Sequence, residues 1–176
     1  MEFRQFDKHS FQATLKAWEL QAEQAGMFPG EQAAKLSQVE KTLLSNSNDS
    51  QHKDLAYAVF RQGCDVALAS CELVLSDRGS LSGRWLKMLK VVLCPEIDAG
   101  FQENNVDATS LAVSVYRCAV LGSFSERLNH EADTLKLYGR DHTMMQFLST
   151  LFTSIPQADP DLHASKEGRW LVIRSK

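Results

Sequence analysis

Reactive side chains in this chain are few and widely spaced. Glu96 stands directly after the apolar run Trp85–Cys94, where a carboxylate could take a proton from an amine or hold an ammonium group. An exposed charge is the rule for such a residue, so Glu96 also reads as a solvated loop acid. Cys94 precedes Pro95 and offers a thiol, but no histidine neighbours it and the run behind it is apolar, which is the setting of a core thiol. Arg140, next to Gly139, is the cation best placed to meet an anion at a strand end. His52, His130, His142 and His163 have no HxxH or HxxxH spacing, and no metal site is expected. Trp18, Trp85 and Trp170 fall on apolar stripes and read as packing rather than ligand stacking.

Composition bounds the functions these groups can serve. With 176 residues, 44% of them hydrophobic, the chain is long enough to bury a sizeable core and reads as one domain over 1–176. A net charge of −3, with Lys and Arg scattered, argues against a general nucleic-acid binder. No segment approaches eighteen continuous apolar residues and the first ten residues hold no signal-like run, so no membrane partner and a cytoplasmic location are expected. Cys64, Cys71, Cys94 and Cys118 contain no CxxC pair and read as reduced thiols.

The elements that must position these residues follow from period and punctuation. Phe3 and Phe6 suggest a first edge strand. Ser10 reads as the cap of a helix carrying Phe11, Leu15, Trp18 and Ala22, and Ala33, Leu36, Val39 and Leu43 form a second stripe. The polar run 45–54 reads as an exposed loop. From Leu55 the period changes to two, giving two strands joined by a turn at 62–65. Trp85–Cys94 holds eight apolar residues in ten, as a strand covered on both faces does, and Pro95 ends it. A helix capped by Asp107 then carries Ala108, Leu111, Ala112, Val115 and Ala119 towards Leu128. Thr134–Tyr138 reads as a strand, and a helix capped by Asp141 is expected to stop before Ile155 and Pro156. The segment 157–168 reads as a long loop, and 169–175 as a closing edge strand open to pairing in a homodimer.

The order β, α, α, β, β, β, α, β, α, β predicts an α/β (α+β) fold with a mixed, mostly antiparallel sheet of six to seven strands and four helices on both faces. That order resembles the GNAT superfamily of N-acetyltransferases over essentially the whole chain. The strand ending LKVVLCP resembles the family's fourth strand, TLKLYGRD its fifth, and DHTMMQFLSTLF its fourth helix. The resemblance implies acetyl transfer from acetyl-CoA to a small-molecule or protein amine. It implies that backbone groups at Val92, Leu93 and Cys94, with Gly100 and Asp141, hold the cofactor, and that Glu96 serves as base. The segment EIDAGFQENNVDATS departs from the family's glycine-rich pyrophosphate loop in length and in its acids Glu96, Asp98, Glu103 and Asp107. Leu148 stands where a proton-donating tyrosine is common in the family. The alternative is a non-catalytic binding or regulatory module that kept the fold without acetyl-CoA chemistry.

Overall fold

A computed structural model describes residues 1–28, 30–44, 52–77, 83–140, 142–158 and 161–175. In chain order they form β1 (Glu2–Gln5), α1 (Lys8–Gln24), α2 (Glu31–Leu44), β2 (His52–Phe60), β3 (Ala67–Asp77) and β4 (Arg84–Leu93). There follow α3 (Pro95–Gln102), α4 (Val106–Asn129), β5 (Thr134–Tyr138), α5 (His142–Ala158), β6 (Leu162–Glu167) and β7 (Trp170–Ser175). The strands make one seven-stranded sheet in the order β1-β2-β3-β4-β5-β7-β6. β4 and β5 run parallel, as a helical crossover between them requires, while β1–β2, β5–β7 and β6–β7 are antiparallel. The fold is mixed α/β with a mostly antiparallel sheet, as its element order predicts, and the described residues hold five helices where four are expected.

Local chemistry sets most boundaries. α1 is capped by Asp7, three residues before the expected Ser10: the Ser10 amide donates to Asp7 Oδ1 at 2.7 Å and the Asp7 amide donates to Ser10 Oγ at 3.1 Å. This reciprocal box satisfies two helix-end donors at once, and the Ser10 amide and hydroxyl hold the Asp7 carboxyl below the usual carboxylate range. Between β2 and β3 the chain turns through Gly63 at φ +72°, a conformation glycine adopts without penalty. In α2 the buried stripe is Gln32, Leu36 and Val39, whereas Ala33 is exposed.

Several expectations are corrected. The segment after Cys94 is a helix, α3, because Pro95 occupies the first helical position, where its missing N–H is no loss. Leu162–Glu167, within the expected loop, pairs with β7 from Leu162↔Ser175 to Glu167↔Trp170. β7 therefore lies between β5 and β6, and the sheet edge is β6. α5 runs through Pro156 to Ala158, past the expected stop before Ile155. On α4 the inward positions end with Ser123 and Arg127, and Leu128 is exposed. Asp141, the turn 78–82 and residues 45–51 of the expected loop 45–54 lie outside the described residues, and His52–Asp54 of that loop belong to β2.

The chain's contacts group into two compact units. The first holds β1, α1, α2, most of β2, the start of β3, the end of β4, α3 and most of α4. Its core includes Phe6, which meets Phe11 and Phe60 edge-on, and the fully buried Trp18, whose Nε1 donates to the Ala67 carbonyl at 2.8 Å. The second holds the rest of β3, the start of β4, the end of α4, β5, α5, β6 and β7. Leu73, Leu86, Met88, Leu135, Leu137, Leu171, Val172 and Ile173 are among its buried strand residues, with Met144 and Leu148 from α5.

Candidate functional site

The ladder between β4 and β5 is short. It joins Trp85–Met88 to Thr134–Leu137, and β4 then runs five residues further to Leu93. At that end the Cys94 amide donates to the Leu68 carbonyl at 2.8 Å, tying the strand to β3. Of the three backbone positions the resemblance assigns to a cofactor, the Cys94 amide is thus occupied by β3. Leu93 and Cys94 are buried and Val92 is half-buried.

Glu96 and Asp98 sit in the first turn of α3, Glu96 exposed and Asp98 half-buried. The positive end of a helix favours carboxylates there by ~0.3–1 kcal/mol, which is a structural use for both. Gly100 lies inside α3, where a Cβ would come within 2.7 Å of the Ala108 Cβ. Its missing side chain thus lets α3 approach the start of α4. α3 closes with Asn104 in the left-handed region at φ +57°, the Asn104 amide reaching the Phe101 carbonyl at 3.2 Å and the Asn105 amide reaching Gly100 at 2.9 Å. Asn105 Oδ1 then accepts from the Asp107 and Ala108 amides at 3.0 and 3.1 Å, so Asn105, and not Asp107, caps α4. One asparagine ends a helix and the next begins another.

The thiols are held protonated. Burial pushes Cys94 up to about 11, against the pull of the Ile97 amide, and burial pushes Cys71 and Cys118 up as well. The thiolate is the nucleophilic form, so Cys94 is unsuited to attack at neutral pH. Cys64 is the exposed cysteine. Among the described residues no group of three or more His, Cys, Asp or Glu is placed to hold a metal ion. No described helix is long and apolar enough to cross a membrane.

β5 ends at Tyr138, Gly139 and the exposed Arg140. Arg169, a residue the sequence does not single out, secures this end: its Nε donates to the Gly139 carbonyl at 2.7 Å, its Nη2 donates to the Arg140 carbonyl, and its own carbonyl accepts from the Gly139 amide at 2.8 Å. Leu148 is buried in α5 and packs as a core residue.

No family model matches the chain, and no curated protein does. A crystal structure described as that of "a probable acetyltransferase" superposes with a TM-score of 0.52, covering 86% of this chain and 88% of that chain at 12% sequence identity. At that identity the likeness is one of fold: the chain shares that structure's α/β arrangement over most of both chains.

Proposed function

We propose that the chain is an acyl-CoA-dependent N-acyltransferase that moves an acetyl group to a small-molecule or protein amine. The observation that supports this reading is the ladder that stops at Met88 while β4 continues to Leu93. A strand that outruns its parallel partner leaves backbone groups available to a ligand's amides. Acyl-CoA supplies the acyl group activated as a thioester. In this reading a backbone amide near the end of β4 donates to the developing carbonyl oxyanion, exposed Glu96 takes the proton the attacking amine sheds, and CoA leaves as the thiolate. The fit stops at the pyrophosphate. Two like charges 4 Å apart cost about 1 kcal/mol in water and about 4 kcal/mol at an effective dielectric of 20. The helix end returns only ~0.3–1 kcal/mol, so the diphosphate must lie away from Glu96 and Asp98. Calorimetric titration with acetyl-CoA and longer acyl-CoAs is expected to give saturable heat, and no binding at millimolar ligand ends this reading.

α3 favours a second reading, a module that kept the fold and lost acetyl-CoA chemistry. Where the resemblance puts a glycine-rich loop, this chain has Pro95, two acids and a glycine spent on helix packing. Release of free CoA thiol from acetyl-CoA with any member of an amine panel would refute it.

A further inference from the structure

Among the described residues eight large apolar side chains are exposed, and four of them lie on α4: Val106, Val113, Leu121 and Leu128, at 80%, 49%, 55% and 66%. At 3.6 residues per turn these positions fall within about 80° of one another, so they form one stripe rather than single exposed residues. The opposite side of the helix is apolar as well, with Ala112, Val115 and Ala119 buried. A helix apolar on both sides is ordinarily covered on both, and a long exposed apolar stripe marks an interaction surface. The stripe is a property of α4 alone, one helix from Val106 to Asn129.

The spacing of the stripe identifies what covers it. Val106, Val113, Leu121 and Leu128 follow one another at steps of 7, 8 and 7 residues, which read the same in both directions, with Arg117 at the middle. A two-fold interface presents the same patch from both copies, so that residue i meets j and j meets i. Laid antiparallel against a second copy about Arg117, Val106 meets Leu128 and Val113 meets Leu121, a smaller side chain against a larger one each time. Twenty-two residues over six turns is about 3.67 per turn, so two such stripes stay in contact with a nearly straight, slightly right-handed crossing. The polar residues within and beside the stripe, Ser110, Ser114 and Ser125, are small and exposed. They let two helices approach, and they are not the lysines and arginines that a membrane-lying helix carries.

We propose that the chain forms an antiparallel two-fold dimer through the outer face of α4, with Arg117 on the axis. The strand expected to carry a homodimer, 169–175, lies inside the sheet as β7, whereas α4 keeps its stripe exposed. From Val106 to Leu128 the helix is about 33 Å long, and packing along it buries on the order of 400 Å² of each copy, about half of what a standard interface takes from a partner. The dimer is therefore weak and sensitive to concentration. Exposed Arg117 brings two like charges together at the axis and weakens it further, by about fivefold. The dimer does not depend on acyl transfer.

The test is sedimentation equilibrium of the full chain from about 5 to about 500 µM, under reducing conditions because Cys64 is exposed. A reversible monomer–dimer equilibrium with a Kd of about 10–100 µM is expected. Leu121→Glu should raise that Kd more than about tenfold at an unchanged melting temperature, and Arg117→Leu should lower it at least about fivefold. A mixture reads the axis directly: Arg117→Glu and the unaltered chain should pair with each other more tightly than either pairs with itself, which a misfolded variant cannot produce. A chain that stays monomeric at about 500 µM overturns the proposal, and binding of that monomer to phosphatidylserine vesicles, lost in Leu121→Glu, would give the stripe to a membrane instead. A dimer indifferent to both Leu121→Glu and Arg117→Leu also overturns it and puts the interface elsewhere, as on the edge strand β6.

Discussion

At its first residues β4 lies among rings and cations, with Lys136 3.8 Å and Lys87 5.7 Å from the Trp85 ring centroid. At its last it runs into buried Cys94, Pro95 and a helix whose first turn carries Glu96 and Asp98. The same strand therefore passes through two environments, one of rings and cations and the other acidic.

The comparison extends to the tryptophans, and there the largest effect is expected. Trp18 is fully buried with its indole N–H satisfied, so Trp18→Ala should cost ~3–5 kcal/mol in urea unfolding. Trp170, half-buried on the sheet face, should cost about 1–2 kcal/mol when made alanine. Equal costs would make both of them core residues and remove the contrast between the units.

Alkylation separates the thiols at pH 8. A thiol at about 11 is ionised to about one part in a thousand there, so mass spectrometry should find Cys64 modified long before Cys94. Early loss of Cys94 would restore it as a candidate nucleophile. Gly100→Ala sharpens the β4 end further. Its methyl meets Ala108, so a melting-point loss equivalent to ~1–3 kcal/mol is expected. A stable Gly100→Ala variant with weakened acyl-CoA binding would instead make Gly100 a ligand-approach residue.

The smallest effect is a pH dependence. Burial holds His130 below its ordinary value, outweighing Glu126, and Lys53 acts in the same direction as burial. The folded state thus prefers neutral imidazole. The stability this group contributes is present above about pH 6.5 and is lost as the pH falls through the lower folded value. The side chain keeps about a fifth of its exposure, so solvent screens part of the effect and the term is small. His130→Gln should flatten the thermal-denaturation profile between pH 7 and 5, and an unchanged slope would remove His130 from the account.

Period and punctuation alone locate β2, β3, β4, β5 and the inward stripes of α1 and α4, because apolar repeats of 2 and 3.6 are local properties. Thr134–Tyr138 is delimited to the residue. The strand Leu162–Glu167 is illegible because LHASKE is polar, and it is held by its ladder to β7 rather than by propensity. α3 is missed because its acids and Pro95 resemble a loop until Pro95 is seen at the first helical position. Asp7 is missed as a cap because capping depends on where the chain enters the helix, not on residue type alone.

The sequence by itself determined the class of fold, the end of a strand at Cys94 before Pro95 and the absence of histidine metal spacing. It also put Glu96 at a strand end. Only tertiary structure decided that the β4–β5 ladder stops at Met88, that Cys94's amide belongs to β3, and that Gly100 serves helix packing. It alone set Lys136 over Trp85. The reason is register: residues separated by dozens of positions become neighbours only when strands pair, and no local period encodes which partner a strand will choose.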